Sequence, residues 1–270
     1  MRSNIVSVLN NFPCLKRSLH TLRNYFFPPI SVSTSYIQLT TEEASSEGVR
    51  LRDSWQDDAL PQKQRDLTNQ QLHQYRSGAS VHVFDVFVAA LRSLSGLAEN
   101  ASLLEVGCSS GFYSEIIAVA GLPINYSGCD YSVAFIRMAK EEYPAINFAV
   151  ADATALCYHD RSFDIVVSGC CLLHIPEYVK AVEETARVAR DYVIFHRTPV
   201  VWGQPEQWYR KQAYGVETVE IHFNELEFLA LLGRNGLELI ATHTLSEECS
   251  DGAQNRGSAS RTYVCRKKKQ

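Results

Sequence analysis

The chain has 270 residues, with 26 basic and 30 acidic side chains and a formal net charge of −4. Its 46% hydrophobic and 21% charged residues are typical of a folded globular protein and exclude global disorder. The negative charge argues against bulk attraction to nucleic acid, and no apolar run approaches the roughly 18 residues of a membrane-spanning helix. The eight cysteines form no C-x-x-C pair, so we interpret them as reduced, buried thiols of a cytoplasmic protein.

Residues 1–40 form a basic N-terminal arm that contains no acidic side chain. Apolar residues recur in it at helical spacing, at Leu15, Leu19, Leu22 and Phe26. A basic amphipathic helix can be a transit peptide or a membrane-surface anchor, although we favour a terminal helix without either role. The arm lacks the apolar segment of a secretory signal, and peripheral membrane contact through it stays open.

The rest of the chain predicts two parts. Residues 41–98 are expected to form a helical N-terminal extension, which a helix over about 81–94 closes. Residues 99–270 alternate short apolar strands with helices, which predicts an α/β fold with a doubly wound, Rossmann-like, mostly parallel seven-stranded sheet and helices on both faces. Pro176 is expected as the first residue of a helix. An aromatic-rich insertion at about 198–235, after the fifth strand, is expected to cap the site. The predicted strands are 102–106, 124–128, 147–150, 163–168, 192–196, 237–244 and 261–265.

A glycine turn follows the first of these strands, in Glu105-Val106-Gly107-Cys108-Ser109-Ser110-Gly111. Glycines suit a backbone that takes positive φ or approaches a ligand closely. Dinucleotide enzymes bind pyrophosphate at such a turn, but a carboxylate two residues before the first glycine would repel phosphate. It would attract an ammonium group, and S-adenosylmethionine carries one beside its cationic sulfonium.

The turn resembles the first motif of the class I S-adenosylmethionine-dependent methyltransferases, with Ser109 where that family usually has glycine. Three further motifs follow in register within residues 100–197: Ser127-Gly128-Cys129-Asp130, Val150-Ala151-Asp152-Ala153 and the stretch 163–168. Residues 171–176 are similar to the Leu-His stretch of the small-molecule branch, which includes quinone-biosynthesis methyltransferases.

The resemblance implies S-adenosyl-L-methionine as cofactor. It implies that Asp130 accepts hydrogen bonds from the ribose hydroxyls, and that Asp152 and the N–H of Ala153 bind adenine. Plainer roles stay open, since Asp130 could be only a helix N-cap and Asp152 only a loop residue. The candidate cofactor-binding residues are Glu105, Gly107, Cys108, Ser109, Gly111, Tyr113, Asp130, Tyr131, Asp152, Ala153 and Ser168.

His174 and His196 are the candidate catalytic residues, because each follows a predicted strand whose carboxyl end faces the ligand crevice. Either could act as general base toward a hydroxyl acceptor, with a rate that rises with pH through about 6.5. His174 could equally shape the pocket, and His222 in the insertion is a third candidate. Arg197 or Arg210 could bind an acidic group of the acceptor. The histidine spacing matches no metal motif, so no metal is expected.

The sequence thus predicts a methyltransferase for a small or medium organic acceptor, with a hydroxyl favoured and S-adenosylhomocysteine released. A nicotinamide-dependent oxidoreductase is one alternative, which the Gly107-x-x-x-Gly111 spacing disfavours. A methyltransferase-like subunit that binds the nucleotide without catalysis is the other. No nucleic-acid partner is expected, and the sequence leaves the oligomeric state open.

Overall fold

The computed structural model describes residues 33–249 and 256–268. The amphipathic helix predicted in the basic arm lies outside the described residues and stays a prediction. The end of the arm forms strand β1 (Ser33–Leu39). Residues 35–270 make up one compact unit. The proposed domain boundary near residue 99 stays a prediction.

Residues 41–98 are mainly helical. They form α1 (Thr41–Asp53), a 3₁₀ turn (Ser54–Gln56), α2 (Leu60–Arg76) and α3 (His82–Arg92). A capping box begins α1: the Glu43 N–H donates to the Thr40 hydroxyl at 3.2 Å, and the Thr40 N–H donates to the Glu43 carboxylate at 2.8 Å. Phe84 and Phe87 of α3 are buried in one hydrophobic cluster with Leu103 of the sheet, so this helix packs on the sheet.

Five parallel strands form the centre of the sheet, in the spatial order β4-β3-β2-β5-β6. Ile165, Val166 and Val167 of β5 are all fully buried, as a strand covered on both faces requires. The prediction that Pro176 is the first helical residue was wrong, because α6 begins two residues later and Glu177, with ψ of 40°, is its N-cap. The elements are β2 (Ala101–Val106), α4 (Tyr113–Val119), β3 (Ile124–Asp130), α5 (Val133–Glu142), β4 (Asn147–Val150), β5 (Phe163–Gly169), α6 (Tyr178–Val188) and β6 (Ala189–Trp202).

Five more strands complete the sheet. β7 (Gln207–Ala213) and β8 (Val216–Asn224) form an antiparallel hairpin, which α7 (Glu225–Arg234) follows. β7 pairs with β1, and β8 with the end of β6. β9 (Leu237–Cys249) pairs with β10 (Gly257–Lys267), which runs antiparallel to β6. The Rossmann-like α/β fold is confirmed, but the described part of the chain has a ten-stranded sheet and the seven-stranded prediction is not confirmed.

The parallel register brings the chemically important segments to one edge of the sheet. Val106 is level with Cys129 of β3 and Ser168 of β5, and Gly169 is level with His196 of β6. The residues after these strand ends therefore meet at the carboxyl edge, where ligand sites lie in open α/β sheets.

Cysteine exposure and helix hydrophobicity bear on the predicted compartment. Cys108, Cys129 and Cys265 are buried thiols, whereas Cys157 and Cys249 are exposed, so the expectation that all the cysteines are buried was wrong. No helix within residues 33–249 and 256–268 has the length and apolar character needed to cross a membrane. The cytoplasmic location stays a prediction.

Candidate active site

The turn between β2 and α4 contains three residues with positive φ: Gly107 at 72°, Ser109 at 46° and Gly111 at 75°. A Cβ at Gly107 would overlap the Cys171 side chain, and a Cβ at Gly111 would lie 2.5 Å from the Phe148 ring. Both glycines are therefore required by backbone conformation and by packing. This explains two of the predicted motif positions before any ligand is considered.

Ser109 takes the left-handed conformation at the position where the family pattern has glycine. That conformation costs a non-glycine residue roughly 1–2 kcal/mol, whereas glycine loses roughly 0.5–1 kcal/mol through its extra freedom when unfolded. We expect Ser109→Gly to leave the free energy of unfolding unchanged or to raise it by up to about 1 kcal/mol. Urea denaturation measures this change.

The matched control is Ser110→Gly, because Ser110 is buried and does not have positive φ. This variant is expected to be less stable than the wild type by roughly 0.5–1 kcal/mol. If Ser109→Gly loses as much stability as the control, the Ser109 side chain matters more than its backbone conformation.

Glu105 lies inside β2 with only 1% of its surface exposed. The Tyr126 hydroxyl donates to its Oε2, and Oε1 lies 2.5 Å from the place that a Cβ at Gly169 would take. Burial raises the pKa of Glu105 well above its usual value, and the Tyr126 hydrogen bond opposes that rise. A cation beside this carboxyl would favour its ionised form, which is the property that an ammonium-binding acid needs.

Asp130 ends β3 and ties the glycine turn to the sheet. Its Oδ2 accepts the Ser109 N–H and its Oδ1 accepts the Ser132 N–H, both at 2.9 Å. The N-cap of α5 is Ser132, whose hydroxyl accepts from the Phe135 N–H, so Asp130 is not the cap. Burial raises the pKa of Asp130 to about 6, against the opposing backbone hydrogen bonds. Each carboxylate oxygen can accept a further hydrogen bond.

Asp152 follows β4 and has partners on both carboxylate oxygens. Oδ1 accepts from the N–H and the hydroxyl of Thr154, both at 2.8 Å, and Oδ2 pairs with Arg52 at 2.5 Å. Burial favours the neutral acid, but these bonds outweigh it and lower the pKa of Asp152. An adenine amino group would have to share this carboxylate with Arg52. Ala153, the next predicted residue, is buried.

Through Arg52 the N-terminal extension contacts the candidate site, and no sequence pattern predicted this residue. Its guanidinium also lies 3.7 Å from the Glu177 carboxylate and 5.4 Å from the centre of the Tyr131 ring. The Tyr131 hydroxyl donates in turn to the Arg52 carbonyl. α1 is thereby fastened beside the predicted adenine position.

Three predicted side chains lie beneath the turn. Cys108 is fully buried, and the Ser168 hydroxyl lies 3.4 Å from the Cys171 thiol. The Tyr113 ring is buried against Phe87, with ring centres 4.4 Å apart. These side chains support the turn from below, and their contact with a cofactor stays a prediction.

His174 lies on a 3₁₀ turn (Leu172–His174) after β5 and is half-buried. Its Nδ1 is 2.6 Å from the Val219 carbonyl of β8, so Nδ1 carries the proton and Nε2 keeps a lone pair. The Trp55 ring lies 4.7 Å away, centre to centre. Burial lowers the pKa of His174 to about 3, and the Lys211 charge adds to this effect. The imidazole is therefore neutral at physiological pH.

His196 is enclosed by other side chains, and its predicted position facing the crevice stays a prediction. It is 1% exposed, with its ring 5.3 Å from that of Phe87 and 5.6 Å from that of Tyr113. Its Nδ1 lies 2.8 Å from the Thr262 hydroxyl, and Nε2 has no hydrogen-bond partner among the described residues. His222, the third candidate, has its Nε2 at 2.8 Å from the Glu220 carboxylate on β8.

Residues 104–195 match the protein-family model described as a methyltransferase domain. This segment contains the glycine turn, Asp130, Asp152 and His174. The matched segment is also the part of the sequence that resembles the class I S-adenosylmethionine-dependent methyltransferases, and it covers about a third of the chain.

Several named relatives are similar to part of the chain. Demethylmenaquinone methyltransferase of Renibacterium salmoninarum is 36% identical over 88 residues, 33% of this chain and 36% of that protein. The Bacillus licheniformis protein of that name is 30% identical over 127 residues, 45% of this chain and 53% of that protein. Phthiotriol/phenolphthiotriol dimycocerosates methyltransferase of Mycobacterium tuberculosis is 30% identical over 90 residues, 33% of each chain. The chain thus spans between a third and about half of the length of these relatives.

Solved structures share the fold at lower identity. The 1,6-didemethyltoxoflavin-N1-methyltransferase of Burkholderia thailandensis, solved with that compound and S-adenosylhomocysteine, is 14% identical with a TM-score of 0.50, over 78% of this chain and 89% of its own. The [4+2]-cyclase SpnF is 15% identical with a TM-score of 0.50, over 73% of this chain and 92% of its own. One is described as a methyltransferase and the other as a cyclase, so these likenesses show the fold alone.

Proposed function

We propose that the chain is an S-adenosylmethionine-dependent methyltransferase acting on a small or medium organic acceptor, with a hydroxyl favoured as the methylated group. The observation that carries this proposal is the pair of buried carboxylates, Glu105 and Asp130, on the two sides of the glycine turn. The relatives' names, which describe methyltransferases of demethylmenaquinone and of phthiotriol compounds, support a small-molecule acceptor. We place the enzyme in the cytoplasm.

The carboxylates beside the glycine turn suit the polar groups of S-adenosylmethionine. Asp130 has unused acceptor capacity on both oxygens, which suits the two ribose hydroxyls. A nearby cation would favour the ionised form of the Glu105 carboxyl, so this residue suits the ammonium group of the cofactor. When bound, the cofactor supplies a methyl group already activated by the sulfonium charge. The protein's own residues then need mainly to bind and align the two reactants.

His174 is the proposed base on the acceptor side. Its Nε2 is the basic nitrogen, because Nδ1 donates to the Val219 carbonyl. Trp55 lies beside it and 6.2 Å from the Tyr214 ring, so aromatic surfaces flank the imidazole. We propose that the β7–β8 hairpin and the Trp55 turn form the wall of the acceptor pocket. His196 is enclosed and supports Tyr113 in this proposal instead of acting as a base.

The first test is ligand-induced stabilisation. S-adenosylhomocysteine is expected to raise the melting temperature, because a ligand that binds only the folded state at a hundredfold excess over Kd stabilises it by about 2.7 kcal/mol. NAD is expected to have no effect. Differential scanning fluorimetry with each ligand measures both shifts. A shift with NAD and none with S-adenosylhomocysteine would favour the oxidoreductase alternative and overturn the proposal.

Turnover needs a separate test, because a non-catalytic subunit would also bind the nucleotide. Purified protein incubated with labelled methyl donor and fractionated small-molecule extracts is expected to label an organic product. Donor binding without labelling of any fraction would favour the non-catalytic alternative.

A further inference from the structure

Arg197 follows His196 at an irregular point of β6. In the pairing of β6 with β10, Thr198 lies opposite Arg261 and Phe195 lies opposite Tyr263. Two residues of β6 therefore lie between these pairs, but only one residue of β10 does. His196 and Arg197 therefore share Thr262 as their single partner position, which is a β-bulge. Arg197 also has φ of 60°, a conformation that non-glycine residues rarely take. Bulges beside active sites redirect side chains, and here the His196 ring turns inward while Arg197 stays exposed.

Arg197 lies where the carboxyl ends of β5 and β6 meet, directly after His196, which is level with Gly169. The Cys170 N–H donates to the His196 carbonyl at 2.9 Å, so the ends of β5 and β6 are adjacent at this point. Cys170 is the strongest of the neighbours that raise the pKa of Arg197, followed by the Tyr113 and Tyr214 hydroxyls. Tyr113 is the first residue of α4, directly after the glycine turn, and Tyr214 belongs to the proposed acceptor wall.

No carboxylate within residues 33–249 and 256–268 forms an ion pair with Arg197. Arg210, the other arginine expected to bind an acid, lies 3.4 Å from Glu47 and 3.8 Å from Glu217. Glu47 and Glu217 thus neutralise the Arg210 charge, while Arg197 is a permanent charge at the ligand edge of the sheet with no acidic partner among the described residues. A guanidinium so placed matches a carboxylate, which it can bind through two parallel hydrogen bonds.

We propose, on the basis of the proposed function, that Arg197 is the carboxylate-binding residue of the crevice. The carboxylate belongs either to the amino-acid end of the methyl donor or to an acid group of the acceptor. The backbone at Arg197 is close to both sources. Gly169, which is level with His196, lies against the Glu105 carboxyl on the donor side. Three residues beyond Arg197, Val200 pairs with β8 of the proposed acceptor wall. The β-bulge opposite Thr262 directs the Arg197 side chain into the crevice.

The donor arm of the test compares S-adenosylhomocysteine with 5′-methylthioadenosine, which keeps the adenosine thioether and lacks the amino acid. Isothermal titration calorimetry gives both affinities for wild type, Arg197→Gln, Arg197→Lys and the matched control Arg210→Gln. If the donor carboxylate is the partner, Arg197→Gln weakens S-adenosylhomocysteine at least tenfold and leaves methylthioadenosine unchanged. Arg197→Lys recovers part of the loss, and Arg210→Gln has no effect. Unchanged methylthioadenosine binding also shows that the variant is folded.

The acceptor arm uses 4-hydroxybenzoate and phenol as probes, with S-adenosylhomocysteine present at saturation. If the acceptor supplies the carboxylate, the wild type binds 4-hydroxybenzoate at least tenfold more tightly than phenol, and Arg197→Gln abolishes that preference. Arg210→Gln keeps it.

Absence of an Arg197 effect in both arms overturns the inference, provided that the wild type binds S-adenosylhomocysteine. A wild type that binds neither S-adenosylhomocysteine nor methylthioadenosine would instead overturn the proposed function. The two failures are therefore distinguishable.

Discussion

Asp130→Ala is expected to weaken S-adenosylhomocysteine binding at least tenfold while the protein stays folded. Two ribose hydroxyls donating to a charged acceptor contribute roughly 1.5–3 kcal/mol each. The carboxylate also holds the Ser109 N–H, so its loss loosens the turn on which the ligand lies. Isothermal titration calorimetry measures the affinity, and circular dichroism checks the fold.

Asp130→Asn is the matched control, because it keeps the size of the side chain and removes its charge. It is expected to bind more weakly than the wild type and more tightly than Asp130→Ala. If both variants keep wild-type affinity, Asp130 serves only to anchor the turn through Ser109 and Ser132.

The raised pKa of Asp130 adds a pH dependence to donor binding. With a pKa of about 6, the carboxyl is ionised at pH 8 and largely protonated at pH 5. Only the ionised form can accept from both ribose hydroxyls without a proton of its own. S-adenosylhomocysteine affinity should therefore fall as the pH decreases through 6. The Asp130→Asn variant should lose the part of this fall that Asp130 causes and keep the part that Glu105 causes, because burial also raises the pKa of Glu105. Titrations at pH 5, 6, 7 and 8 compare the two proteins.

The donor half of the site was the more predictable half, because its signals are local. Glu105, Gly107 and Gly111 lie within seven residues of one another, between an apolar strand and a helix. The structure adds the physical reasons: positive φ, close packing by Cys171 and Phe148, and the bond from Ser109 to Asp130. The spacing of these nearby residues therefore explains both the resemblance to the family and the conformation of the turn.

Strands β7 and β8 were not predicted, because the inward side of the hairpin is polar. Lys211 and Glu220 are 5% and 8% exposed and form a buried ion pair, which the Tyr36 hydroxyl and His222 extend. Inward-facing charges break the apolar–polar alternation by which a half-buried strand is recognised. The segment therefore had the composition of an irregular cap although it is regular in structure.

Local sequence patterns also did not predict the long-range contacts or the β-bulge. Arg52 and Asp152 are 100 residues apart in the chain, and nothing near Arg52 marks it as the partner. The orientation of His196 was predicted from its place after a strand. With one extra residue at the bulge opposite Thr262, His196 is buried and Arg197 is exposed. Periodicity alone cannot locate such an insertion, since the register follows from the partner strand.

His174→Gln is expected to lower turnover if the imidazole accepts the acceptor's proton, toward the lower end of about 10²–10⁴, because an imidazole with a pKa of about 3 is a weak base at neutral pH. Affinity for S-adenosylhomocysteine should change little, because the ring lies between Trp55 and the Val219 carbonyl, away from Asp130. The structure also revises the pH profile. With a pKa of about 3, His174 is already neutral at pH 5, so the rate should not rise through 6.5 on its account.

A second readout separates this base from a residue that only fills the pocket. The folded pKa of His174 lies below its unfolded value near 6.5, so its neutral form is preferred in the native state. Its contribution to stability is complete above pH 6.5 and is lost as the pH falls toward 3. The His174→Gln variant should show a weaker loss of stability than the wild type between pH 6.5 and 5, which tests the buried, neutral state of the imidazole, while the split between turnover and ligand affinity tests its role as a base.

His222→Gln is the control for turnover, since His222 is also half-buried but is held by Glu220 on β8. It should keep wild-type turnover within about threefold, well below the loss expected for a general base. Turnover should be measured with the labelled methyl donor and the acceptor fraction that the screen identifies, from pH 5 to 8. If His174→Gln stays active while His222→Gln is impaired, the base lies on the hairpin. If both stay active and the profile is flat, catalysis rests on the alignment of the two reactants.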